Sequence, residues 1–250
     1  MTDQSEQTFE SQLRRAMKAK RWGMPSEQAH LCLMVTLTFT TGINDAVGYL
    51  GLDRVFTGNM TGNVVILGMA LTGTTPLPVL GPALALVGFL VGAAVAGRVL
   101  RHETMPWGPL HSWLLVGVAG VMLALGSALL AAGPLPSHRI MVTATTLAAL
   151  ALGAQAATAR AIAVKDVTTV VVTSTLTGLA ADSFFGNGRG GGTTRRVVTV
   201  VALLLGAVVG ALLLLVSLSA GFFVAGALIG ASAVVGELHR RAQNAASEAS

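Results

Sequence analysis

The residues whose types suit chemistry stand in two short polar runs within long apolar stretches. Thr57–Asn63 reads TGNMTGN and Thr173–Gly178 reads TSTLTG, so Asn59, Thr61, Asn63, Thr175 and Thr177 place amides and hydroxyls among apolar neighbours. Asn44 and Asp45 lie in TTGINDAVGYL, and Gln155 and Arg160 lie in ALGAQAATAR. Ionisable groups are expensive in a bilayer, and by default they mark solute paths, proton relays or gates. Gly58, Gly62, Gly68 and Gly178 let a helix relax. Helix ends opened in this way carry partial charges that hold ions and small polar solutes. The same Thr, Asn and Gly types also serve as plain interhelical glue. Asp166 and Asp182 flank the second run. Asp166 suits a helix cap, and Asp182 is a candidate partner of Asp45 in a cation or proton relay.

The elements that must position these groups follow from composition. The chain has 250 residues, 53% of them apolar and 11% charged, where a soluble domain carries about a quarter charged. Mean hydropathy is +0.71. Apolar segments fall at about 31–52, 55–73, 78–99, 112–132, 140–161, 167–185, 197–217 and 220–237. A spanning helix needs about 20 residues to cross about 30 Å of hydrocarbon. The second and sixth segments are the two that contain the polar runs.

Basic residues follow the cytoplasmic face of short loops. If all eight segments cross, Arg54, Arg98, Arg101, Arg160 and Lys165 fall outside. If the second and sixth enter and leave on one side, only Arg54 and Arg139 do. The preferred architecture is therefore an all-α integral membrane protein. It is a polytopic helix bundle with six full spans and two short or broken Thr/Gly-rich segments; eight full spans are the alternative.

Residues 1–30 form a basic cytoplasmic tail, in which Phe9, Leu13, Ala16 and Met17 share one face of an amphipathic pattern. Residues 31–237 form one transmembrane domain, and 238–250 a polar cytoplasmic tail. A shift of about 116 residues lays TGNMTG on TSTLTG and keeps the apolar blocks in phase, giving repeat one at about 31–132 and repeat two at about 140–237. With three crossings each, such repeats are inverted, a recurring transporter design. The shift places Asn44 and Asp45 opposite Arg160 and Ala161, so Asp45 and Arg160 are a candidate gating pair. Gly88–Gly92, Gly206–Gly210 and Gly226–Gly230 have GxxxG spacing, which serves packing within the bundle or toward a second copy.

Other chemistry finds little support. Cys32 is the single cysteine, so no intrachain disulfide or thiolate cluster is possible. His30, His102, His111, His138 and His239 form no HExxH pattern, and no GxSxG elbow is present. Gly186–Gly192 lacks the end of a phosphate loop and reads as a flexible loop. No catalytic residue, cofactor, metal or nucleic-acid partner is expected.

Several of these residues carry a resemblance. Thr41-Gly42-Ile43-Asn44-Asp45-Ala46, Tyr49-Leu50, Val55-Phe56, Asn59-Met60-Thr61-Gly62-Asn63 and Leu67-Gly68 resemble the YoaK-like bacterial family. Gly153-Ala154-Gln155, Arg160, Asp166-Val167-Thr168-Thr169 and Thr175-Leu176-Thr177-Gly178 agree. The resemblance covers about 32–236. It implies a multi-pass bacterial inner-membrane protein with a domain of unknown function, and supplies no substrate or catalytic residue. The expected function is a secondary transporter or permease for a small polar solute or ion, with TGNMTGN and TSTLTG forming the pocket. A non-transporting scaffold or sensor, or a channel, is the alternative.

Overall fold

The computed structural model describes residues 26–74, 76–105, 107–162, 172–182 and 193–247. Eight helices are present among them: α1 (Ser26–Gly51), α2 (Met60–Ala70), α3 (Leu80–Leu100), α4 (Pro109–Ala132), α5 (His138–Ile162), α6 (Val172–Ala181), α7 (Thr193–Leu214) and α8 (Leu218–Ser247). Six of them are long and apolar enough to cross a membrane; α2 and α6 are not. At 1.5 Å per residue α2 covers about 16 Å, half of a hydrocarbon core. The face that α2 through α8 leave open is apolar, as at Val87, Leu90 and Val95 of α3 and Leu204, Val208 and Leu212 of α7, which suits lipid contact.

Local chemistry sets several boundaries. Pro109 opens α4, where its missing N–H costs nothing. Gly133, at φ +82°, closes the same helix in a conformation that favours glycine. α8 runs ten residues past the expected start of a polar tail. Glu237 pairs with Arg240 and Arg241 at 2.7 Å, and such i,i+3 and i,i+4 pairs keep that end helical. The amphipathic pattern at 9–17, Asp166 and the 186–192 loop lie outside the described residues.

Contacts between helix ends give the direction of each span. Gly81, at the start of α3, lies against Val55 and Asp53, just past the end of α1. His138, at the start of α5, also lies 3.6 Å from Asp53. Gly51 at the end of α1 touches Leu214 and Leu218, where α7 ends and α8 begins. At the opposite end of the bundle, His30 stacks on Trp107 and meets His239 edge-on. The first turn of α1, the entry to α4 and the last turns of α8 are thus together. α1 and α3 run in opposite directions, and the chain between them leaves and returns to one end of the bundle.

α1 is the most enclosed span, and α3 and α7 are the least. The core joins Met34, Leu37, Ile43 and Val47 of α1 with Leu115, Met122, Leu129, Phe222 and Ile229 of α4 and α8. The most extensive pairings are α3 on α5, α1 on α7 and α4 on α8. α1 also meets α5 and α8, α4 meets α5 and α3, α2 meets α3, α6 meets α7, and α7 meets α8. Exchanging α1 with α5, α2 with α6, α3 with α7 and α4 with α8 carries this set onto itself.

Glycines make the two tightest pairings. A Cβ on Gly206 would strike the Phe39 carbonyl, and one on Gly210 would lie 2.6 Å from the Ile43 carbonyl. Correspondingly, Gly88 faces the Thr146 carbonyl at 2.7 Å and Gly92 that of Leu150. Gly226 faces Leu123 and Ala119 of α4, and Gly230 faces Ala119. All three GxxxG faces are therefore used inside this chain, which corrects the expectation that they could join a second copy. The same contacts do not fit a uniform 116-residue shift. Gly42 lies against the Leu203 carbonyl and Gly153 against that of Phe89, so together with Gly206 on Phe39 and Gly92 on Leu150 they set Gly42 opposite Gly153, and Asp45 opposite Ala156 and not Ala161.

Two expectations follow. In a Cys32→Ser background, single cysteines replacing Arg54 and Thr74 should react with an impermeant thiol reagent from the same membrane face; reaction from opposite faces would mean that α2 crosses. Gly92→Val should sharply lower the yield of folded protein, because overpacking costs about 1–3 kcal/mol or more. Gly97→Val should be tolerated, since nothing lies within 4 Å of its Cβ position; equal losses from both would refute the close-packing account.

Candidate functional site

The chemistry gathers where α1, the non-helical segment after it and α5 converge. After α1 the chain turns at Asp53 and Arg54, both at positive φ (58° and 57°), a conformation few non-glycine residues adopt. It then runs back along α1. A Cβ on Gly48 would lie 2.5 Å from the Val55 carbonyl, and one on Gly58 would lie 2.7 Å from Thr41 Cγ2. Tyr49 stacks on Phe56 with ring centroids 4.7 Å apart.

One carboxylate oxygen holds this returning segment. The N–H groups of Thr57 and Gly58 donate to Asp45 Oδ1 at 2.9 and 2.6 Å, and that of Asn59 donates at 3.3 Å. The Thr57 hydroxyl lies 3.4 Å from the same oxygen. Successive N–H groups aimed at one point form an anion-binding concavity, and here the chain's own Asp45 fills it. It also sits at the positive end of α2.

The other half of the clamp is Asn63, which is fully buried. Its Oδ1 accepts from the Phe56 N–H at 2.9 Å, and its Nδ2 donates to the Phe56 carbonyl at 2.6 Å. Asn59 caps α2, its Oδ1 accepting from the Gly62 N–H at 3.2 Å. Asn63 reaching Phe56 means that α2 turns back beside the segment that precedes it. An extended inward leg and a helical outward leg result.

On the α5 side, Gln155 Nε2 donates to the Leu37 carbonyl at 3.2 Å and to Thr41 Oγ1 at 3.3 Å. Asn44, one turn beyond Thr41, donates from Nδ2 to the Thr40 carbonyl at 2.9 Å. Both amides are buried, and among the described residues Asn44 Oδ1 and Gln155 Oε1 have no hydrogen-bond partner. Thr41 ties the halves together, since it touches Gln155 through its hydroxyl and Gly58 through its methyl.

The structure therefore brings together Asp45, Asn59, Asn63 and Gln155, adds Thr41, Thr57 and the backbone of Phe56, and sets Asn44 one turn beyond Thr41 on α1. Thr61 lies in the first turn of α2 and is exposed. The remaining candidates lie elsewhere. α5 runs antiparallel to α1, so passing from Gln155 to Arg160 moves away from Asp45. Arg160 is exposed in the last turn of α5 and forms no ion pair with Asp45, which corrects the proposed gating pair. Asp182 binds Arg196 of α7 at 2.7 Å. Arg196 lies near the start of α7, roughly 20 Å along the bundle from the level of Asp45 at 1.5 Å per residue. A direct relay between Asp45 and Asp182 is thus not formed. Thr175 is buried and Thr177 exposed, the latter bonding back to the Thr173 carbonyl at 2.9 Å. α2 packs on α3 and α6 on α7, with no contact between α2 and α6 among the described residues. A pocket walled jointly by the two polar runs is accordingly not formed by these helices, because each is anchored to its own long helix.

A separate cavity of about 630 Å³ is lined by Val35, Phe39, Val201, Leu205 and Leu228 among others, and is apolar. No three His, Cys, Asp or Glu side chains among the described residues could hold a metal ion.

Six apolar spans around a buried polar centre define a polytopic α-helical membrane protein. The chain belongs to the family described as Protein of unknown function (DUF1275), which matches residues 33–235. It is 30% identical over 151 residues to the UPF0700 transmembrane protein YoaK of Bacillus subtilis (strain 168). That match covers 60% of this chain and 65% of the relative, less than two thirds of the relative's length. No solved structure matches the chain. Family and fold together place it among multi-pass proteins of the bacterial inner membrane.

Removing the Asn63 clamp should destabilise the fold. Asn63→Ala leaves the Phe56 N–H and C=O without partners, at about 1–3 kcal/mol for each group left unsatisfied. Thermal unfolding in detergent should show a clear fall in midpoint, whereas Thr61→Ala should change it little; equal midpoints for Asn63→Ala and the parent protein would show that this clamp is dispensable.

Proposed function

We propose that the protein is a secondary transporter for a small polar solute or ion, built from two inverted repeats. The carrying observation is the unwound backbone of residues 55–59 near two buried amide oxygens that have no partner among the described residues. In a bilayer, non-helical backbone survives only against protein or along a wet cavity, and broken helices at a repeat interface are where transporters bind solutes. In this reading Asn44, Asp45, Asn63 and Gln155 form the site, and Asn59 and Thr61 its rim. Thr175, Thr177, Asp182 and Arg160 lie toward the other end and form the opposing gate.

The self-consistent exchange of helix contacts supports the repeats. Three crossings in each half make them inverted. Orientation follows from charge: Arg98, Arg101, Arg195, Arg196, Arg240 and Arg241 belong to the end that holds the start of α1 and the end of α8, and among the described residues only Arg54 and Arg139 to the other. The positive-inside rule then puts both termini in the cytoplasm.

One observation favours a non-transporting scaffold: Asp45 and Asn63 direct most of their bonding capacity to this chain's own backbone. Accessibility separates the readings. Single cysteines at Asn59 and Thr61, in a Cys32→Ser background, are treated with an impermeant thiol reagent in right-side-out and inverted vesicles. A carrier should react from one face, a channel from both. Protection from both faces at both positions would refute transport through this centre.

A further inference from the structure

We propose that the centre formed by Asn44, Asp45 and Gln155 binds a small monovalent cation, an alkali metal ion or the ammonium head of a solute. This names a ligand class for the site and rests on the reading of that centre as the solute site.

The argument starts from the orientation of the amides. Asn44 Nδ2 faces the Thr40 carbonyl and Gln155 Nε2 the Leu37 carbonyl. Carbonyl oxygens only accept, so a flipped amide would set oxygen against oxygen. The atoms without a partner among the described residues are therefore the oxygens, Asn44 Oδ1 and Gln155 Oε1, in side chains no more than 1% exposed. Neighbouring hydroxyls do not relieve them. Thr40 and Thr41 both donate to the Leu37 carbonyl, at 2.8 and 2.9 Å, and Thr38 donates to that of Met34 at 2.9 Å.

Asp45 adds a formal negative charge on the same stretch of α1. Its Oδ1 is engaged by the returning segment, while Oδ2 accepts no hydrogen bond from the described residues. No Lys, Arg or His among the described residues pairs with it. Among the described residues, the centre thus offers acceptors in excess of donors. A buried polar group without a partner is costly, so two such oxygens near a carboxylate whose Oδ2 accepts no hydrogen bond from the described residues call for a donor or a cation. Oxygen ligands of this kind replace the hydration shell of alkali ions. One carboxylate balances one positive charge, whereas divalent ions take several carboxylates. An anion is disfavoured, because Asp45 already occupies the N–H concavity at residues 57–59.

Thermal unfolding of the purified full-length protein in detergent tests this. Sodium, potassium and methylammonium chlorides are compared with choline chloride at constant ionic strength and pH. At least one small cation should raise the midpoint saturably, by about 3 °C or more at saturation, as expected when a ligand binds only the folded state. A response to sodium or potassium alone assigns a metal ion; a response to methylammonium alone assigns an ammonium head. Gln155→Leu and Asn44→Leu, which remove the orphan oxygens, should abolish the shift. Identical midpoints in all four salts, or a shift that survives intact in both variants, would overturn the proposal. If the variants fail to fold, calorimetric titration of the parent protein with each salt against the choline baseline decides. The vesicle-labelling result stands apart: a cation-dependent midpoint with both rim positions protected from both faces leaves the cation site in place and removes transport.

Discussion

Backbone polar groups inside a bilayer have no water to turn to, and this constraint governs the region between α1 and α3. Residues 55–59 are not helical, so each of their N–H and C=O groups needs a partner from the protein. Asp45 takes the N–H groups of Thr57, Gly58 and Asn59, and Asn63 takes both polar groups of Phe56. The Gly58 carbonyl accepts from the Met60 N–H at 3.1 Å. With these bonds in place, α2 can begin halfway down the bundle and return to the end from which the chain entered. Without them the segment would have to become helix or leave the interior.

Around that core the architecture depends on how closely helix backbones approach. α1 meets α7, and α3 meets α5, at points where glycine leaves no side chain between one helix and the carbonyls of the other. Lipid is as apolar as the helices, so packing of this kind, more than hydrophobic burial, drives their association. Gln155 of α5 reaches α1 by its own side-chain hydrogen bonds to Leu37 and Thr41.

Much of the candidate site was legible because its chemistry is incongruous with its surroundings. Asp45, Asn63 and Gln155 stand out as polar residues in apolar runs, and the structure gives each a buried place or a specific bond. Thr41 and the Phe56 backbone were not legible, since a threonine in a helix usually bonds back to its own helix and a backbone group carries no sequence label. The pairing of Asp45 with Arg160 failed for a geometric reason. A 116-residue shift read from one motif does not fit the helix contacts, and an antiparallel helix moves Arg160 away from Asp45.

By itself the sequence determined the medium, the eight apolar segments, the two polar ones among them and the family, with six full spans preferred over eight, because hydropathy, helix length and motif spacing are local properties. Tertiary structure alone decided where the returning segment lies and what holds it. It also decided that the GxxxG faces pack within one chain, and that Asp45 bonds to backbone and not to arginine. Those outcomes depend on which helix faces meet and in which direction each helix runs, and no stretch of sequence carries that information alone.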